Sequence, residues 1–152
     1  MPAPPFEMTF QTRWRDLDSN GHMANAAFLD VCVDVRFAFF AAQGFPLSRF
    51  AELAIGPIIF RDEVDYYREF RLLDPMRITL ALAGASEDGS HFRLVSEYFR
   101  KDSRLAARLV TTGSWLDLKL RKLTRPPEEL ASALRAIPQT EDFEFLPSKI
   151  RG

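Results

Sequence analysis

The sequence predicts an α+β fold in which a five-stranded antiparallel sheet wraps one long central helix, with a short helix near the C-terminus. Three observations lead there. Residues 24–42 carry only Asp30, Asp34 and Arg36 as charges, a stretch too long for one strand and apolar enough to be buried. Four strand-like segments follow between residues 58 and 122, separated by short turns. The chain has 152 residues, enough for one core and too few for two. An almost wholly apolar helix cannot lie on a solvated surface, and an antiparallel sheet with one apolar face needs a cover, so each supplies what the other lacks. The chain therefore reads as a single domain, residues 1–152, with tails at 1–5 and from about 139 to 152.

Each element has its own signal. In residues 6–15, Phe6, Met8, Phe10, Thr12 and Trp14 alternate with Glu7, Thr9, Gln11, Arg13 and Arg15, the period of a half-buried strand. The central helix follows, Gly44 offering a C-terminal cap and Pro46 preventing continuation. Strands are predicted over 58–71, 76–85, 91–101 and 105–122. The turns between them are marked by Asp74-Pro75, Glu87-Asp88-Gly89 and Lys101-Asp102-Ser103, and short connections make antiparallel neighbours. Pro126-Pro127-Glu128-Glu129 places proline and acids where a first helical turn favours them, opening a helix to about residue 136.

Composition narrows the function classes. Apolar residues make up 47% of the chain, the net charge is -1, and the longest uncharged stretch, residues 37–48, is too short to span a bilayer. The leading residues MPAPPFEM lack a basic n-region and an apolar h-region, so a cytoplasmic protein without a membrane partner is expected. A lone Cys32 excludes an internal disulfide, and His22 and His91 without a Cys pair give no zinc spacing, so no metal is expected. Residues 91–125 hold nine basic and three acidic groups. An ordinary solvated sheet face explains most of them, and without a nucleic-acid motif no nucleic-acid partner is expected.

The chemically dense stretch is residues 13–25, RWRDLDSNGHMAN, which leaves a strand and enters the buried helix. Asn20-Gly21 is a strong turn signal, so Asp18 and Asn20 sit on a tight loop aimed at the helix start. A buried helix N-terminus presents free amides and a positive dipole end, an oxyanion site if a carbonyl reaches it. Asp18 beside it could attack that carbonyl or activate a water. The same residue types are also the commonest helix caps, and His22 could equally be a loop anchor. There is no GxGxxG, GxxxxGK[ST] or GxSxG motif, and Cys32, in the middle of the apolar helix, is a poor nucleophile.

This stretch resembles the hot-dog fold acyl thioesterases, in the branch that holds the hydroxybenzoyl-CoA and plant acyl-ACP thioesterases. Those proteins carry D-x-D, then G-H-V-N-N, then N-x-x-Y-L on a central helix. Here the corresponding residues are Asp16-Leu17-Asp18, Gly21-His22-Met23-Ala24-Asn25 and Asn25-Ala26-Ala27-Phe28-Leu29. The likeness extends more loosely over residues 6 to about 138, and Leu73-Asp74-Pro75 matches a family turn.

What the resemblance implies is hydrolysis of an acyl-CoA or acyl-carrier thioester, with no cofactor beyond the CoA of the substrate itself. Asp18 would be base or nucleophile, accompanied by Asn20 and His22. Backbone amides near Ala24 and Asn25 would hold the oxyanion, and Phe28 would wall the pocket. Ala24 stands where relatives often have Asn, and Phe28 where they have Tyr. A homodimer, or a tetramer of dimers, is implied as well. For the CoA phosphates, Arg100, Lys101 and Arg125 are the candidates. The alternative is a non-catalytic acyl-CoA-binding domain of the same fold; a hydratase of that fold would show D-x-N-P-L-H, which is absent.

Overall fold

A computed structural model describes residues 3–150; Met1, Pro2, Arg151 and Gly152, at the ends of the two expected tails, lie outside the described residues. The elements in chain order are β1 (Phe6–Gln11), α1 (Asn25–Ala42), α2 (Leu47–Leu53), β2 (Ile55–Tyr66), β3 (Pro75–Ala85), β4 (His91–Phe99), β5 (Leu105–Asp117), β6 (Lys122–Leu123), α3 (Glu128–Arg135) and β7 (Gln139–Phe145). The main sheet has the strand order β1-β3-β4-β5-β2, and every pairing along that path is antiparallel. Its inner face curls around α1.

Helix α1 buries Ala27, Phe28, Val31, Cys32, Val35, Phe39 and Phe40, a three-and-four spacing that faces the sheet. There they meet Met76, Ile78, Leu80 and Leu82 of β3, with Leu94, Tyr98, Leu109 and Trp115 from β4 and β5. The exposed stripe of α1 is wider than two aspartates. Val33 lies between Asp30 and Asp34, and all three are exposed.

Several boundaries differ from expectation, each for a local reason. Strand β1 stops at Gln11, because Trp14–Asp16 winds into a single 3-10 turn. Arg13 closes that turn on Asp16, donating from its Nη2 to Oδ1 at 3.1 Å and from its backbone N–H to Oδ2 at 2.9 Å. Trp14 consequently points to solvent, 78% exposed, although alternation placed it inward. Strand β2 begins earlier and leaves the sheet at Tyr66. Strand β4 ends at Phe99, and β5 ends at Asp117, whose Oδ1 accepts from the amides of Lys119 and Leu120 in the turn to β6. Helix α2 was not signalled. The expected C-terminal tail contains β7, which pairs in parallel with the last residues of β3, beyond the stretch that β1 covers.

At one position in this sheet the backbone leaves no room. A Cβ on Gly113 of β5 would lie 2.5 Å from the Ile58 carbonyl oxygen and 3.0 Å from the Phe92 ring. The neighbouring pairing between β2 and β5 shifts register between Ile59 and Arg61, and glycine allows the close approach.

Candidate active site

The segment 17–23 forms a small hairpin. Leu17 and Met23 are bridged, the Asp18 amide donates to the His22 carbonyl at 2.8 Å, and Gly21 donates back to the Asp18 carbonyl at 3.1 Å. Gly21 has φ +78°, a conformation that glycine adopts freely and other residues rarely do. Two contacts anchor the hairpin. Met23 N–H donates to the Phe70 carbonyl at 2.8 Å, and Ala24 N–H to the Asp16 carbonyl at 2.7 Å.

The two aspartates of the D-x-D segment have different surroundings. Asp16 is buried, and burial alone would raise its pKa. The hydrogen bonds from Arg13 outweigh that and hold it below the usual carboxylate range. Asp16 is thus a structural ion. Asp18 is exposed, and its Oδ1 accepts from the Asn20 and His22 amides at 2.8 and 3.3 Å. Among the described residues its Oδ2 has no partner.

Asp18, His22, Asn25 and Phe28 line one open cleft together with Tyr66, Tyr67, Arg68 and Glu69. Asn20 does not line it and contributes through its amide to the Asp18 turn. Phe28 is buried, packed edge-to-face on Tyr66 with ring centroids 5.1 Å apart, and its carbonyl accepts from the Tyr98 hydroxyl. Sequence reasoning missed Glu69, whose carboxylate lies 2.6 Å from His22 Nε2 and also holds Arg71 at 2.9 Å. Tyr66, which donates to the Asn25 carbonyl at 3.4 Å, was missed as well. Tyr66 ends β2 and Glu69 lies in the segment just after it, both more than forty positions away, and the course of the chain after β2 brings them to the helix start.

The start of α1 has no side-chain cap. Ala24, expected among the oxyanion donors, spends its N–H on Asp16 and is not available. The amides of Asn25 and Ala26, the first two of the helix, have no acceptor among the described residues. Two unpartnered donors at the positive end of an eighteen-residue helix suit a developing negative charge on oxygen.

The three cations assigned to CoA phosphates are not together in the chain. Arg100 and Lys101 line a cleft with Phe70 and Asp74, next to the site, since Glu69 borders the one and Phe70 the other. Arg125 lies beside the turn that precedes β4, its Nε 3.3 Å from Asp88 Oδ2. That places it about 30 Å from Arg100, the length of the nine-residue strand β4.

Wrapped helix and curled sheet together are the hot-dog fold. Solved structures bear this out: a hypothetical protein of Staphylococcus aureus in complex with CoA superposes with TM-score 0.79 at 21% identity, covering 89% of this chain and 84% of that one. A 1,4-dihydroxy-2-naphthoyl-CoA thioesterase from Synechocystis gives 0.78 at 18% identity, covering 88% and 97%. A probable thioesterase from Escherichia coli gives 0.71 at 21%, covering 86% and 97%. No curated protein matches the sequence. The model of the thioesterase-like superfamily matches residues 12–134, and the chain belongs to that superfamily.

Proposed function

We propose that the protein hydrolyses acyl-CoA thioesters at the cleft between the 17–23 hairpin, the start of α1 and the end of β2. The observation that carries this reading is a carboxylate with one free oxygen on the same cleft as Asn25, whose unpartnered amide begins α1 and is followed in the chain by that of Ala26. The thioester carbonyl oxygen rests against the Asn25 and Ala26 amides. Asp18 either takes a proton from water as that water attacks the carbonyl carbon, or attacks it directly and is regenerated by water. The C–S bond then breaks, the CoA thiolate takes up a proton, and the free acid leaves. His22, held by Glu69, fixes the hairpin and so the angle of Asp18. Arg100 and Lys101 receive the anionic end of CoA, and Arg125, committed to Asp88, is left out of that role. The CoA complex of the S. aureus relative and the CoA thioesterase among the structural neighbours support CoA as carrier.

The test is thiol release by the purified protein from a panel of short, long and aromatic acyl-CoAs. Turnover of at least one is expected. Tight binding of acyl-CoA without thiol release would instead make the protein a binding domain. Replacing Arg100 and Lys101 by Gln should raise KM for acyl-CoA about tenfold and leave KM for the matching acyl-pantetheine unchanged, because surface phosphate contacts act mainly on binding. Equal losses on both substrates would contradict the phosphate role.

A further inference from the structure

The cleft beside Asp18 has a floor, and the floor is made of rings. Only two of the residues that line the cleft, Met23 and Phe28, are wholly apolar, and both are buried, at 4% and 3% exposed. Phe28 lines the cleft on one side and belongs to the core on the other. Its ring meets those of Tyr66 and Tyr98 edge-on, with centroids 5.1 and 5.2 Å away, and that of Phe70 at 6.1 Å. Phe70 and Tyr98 are themselves 1% and 0% exposed. The Tyr98 hydroxyl donates to the Phe28 carbonyl, so the helical turn that carries the ring is tied to β4. A close-packed cluster of this kind admits an added group only by straining its neighbours. Among the described residues, the apolar cavity further along α1, lined by Val33, Phe40 and Trp115, shares no lining residue with the cleft.

The place of that ring decides how far an acyl group can go. With the carbonyl oxygen at the Asn25 amide, Phe28 lies three residues along α1, about 4.5 Å of axial rise. Its side chain leans back toward the helix N-terminus, which brings the ring nearer the carbonyl. An extended carbon chain advances about 1.2 Å per bond, so roughly three carbons beyond the carbonyl reach the ring. Further carbons turn back along the polar walls of the cleft into water, where a methylene gains nothing from burial.

We propose that Phe28 restricts the substrate to short-chain aliphatic acyl-CoAs, up to about four carbons, by closing the cleft against the core. This rests on the thioesterase reading for the position of the carbonyl, and it narrows that reading from acyl-CoAs in general to one class.

Two readouts are needed. In the first, kcat/KM is measured for acetyl-, butyryl-, hexanoyl-, octanoyl- and decanoyl-CoA and for benzoyl-CoA. Wild-type protein should gain about tenfold from acetyl to butyryl, at roughly fourfold for each fully buried methylene, and nothing beyond. Phe28→Ala should move that plateau to octanoyl, since a lost ring leaves room for roughly four methylenes, and Phe28→Leu should move it by less. In the second, calorimetry gives the affinities of S-(2-oxoalkyl)-CoA thioethers of matching chain length, which keep the carbonyl but have no thioester bond to hydrolyse, and the same plateau and the same shifts are expected. Thermal unfolding checks that each variant is folded, and Phe28→Leu stands in if Phe28→Ala is not. A wild-type gain that continues to decanoyl, no gain from acetyl to butyryl, a preference for benzoyl-CoA over butyryl-CoA, or a plateau that stays in place in the folded variants overturns the role of Phe28. A plateau in thioether binding without thiol release would overturn the hydrolase reading and leave the ring floor standing. Absence of both thioether binding and thiol release would overturn the two together.

Discussion

At the scale of single residues, two aspartates two positions apart have opposite duties, and their partners decide which. Asp16 is clamped by Arg13, while Asp18 keeps one oxygen free. The sequence shows both carboxylates but not this difference, because Arg13 was placed on a strand that ends before it. Asp18, Asn20, Gly21 and His22 were legible as a group since they fall within five positions ahead of a helix. Glu69 was not, because strand order rather than spacing brings it to His22. The clamp gives a prediction. A carboxylate whose folded pKa is depressed adds stability above its unfolded value of about 4 and loses it as pH falls through the lower folded value. Asp16→Asn should cost about 1–3 kcal/mol at pH 7, read by denaturant unfolding, and the two unfolding free energies should converge as pH falls through the depressed folded value. Curves that stay parallel into acid would show that the charge of Asp16 is not what holds the turn.

At the scale of elements, the long central helix and the four consecutive strands were readable from length and turn composition. The misses were short or atypical pieces. Helix α2 has only seven residues, too few for a periodic signal, and β7 carries three acids, Glu141, Asp142 and Glu144, with Phe145 74% exposed. The boundary of β1 was lost because alternation continues in sequence through Trp14 while the backbone already turns. Gly113 marks a place where β2 comes too close to β5 for a Cβ. Gly113→Ala should lower stability by about 1–3 kcal/mol through overpacking, measured as a drop in Tm. An unchanged Tm would mean that the bulged pairing relaxes without cost.

At the scale of the whole molecule, β2 leaves a twelve-residue edge strand with one side unpaired among the described residues. Ile59 and Phe60 on it are 39% and 46% exposed. A long edge that is apolar over its first half, Ile55 to Phe60, invites pairing with another copy, and a homodimer through β2, or a tetramer of such dimers, is expected. Light scattering at micromolar concentration should give about two or four times the 17.4 kDa of the chain. A monomer-sized particle would contradict it.

The most direct measurement for the protein as a whole compares thiol release by wild-type protein and Asp18→Asn on the best acyl-CoA at saturation. Asparagine keeps an Oδ1 acceptor for the Asn20 and His22 amides, so the hairpin survives, while the base or nucleophile is gone. The predicted result is a kcat lower by roughly a hundredfold or more with an unchanged Tm, and a smaller loss for His22→Ala. A kcat for Asp18→Asn close to wild type would contradict it, leaving Asp18 as a turn residue and placing the chemistry elsewhere.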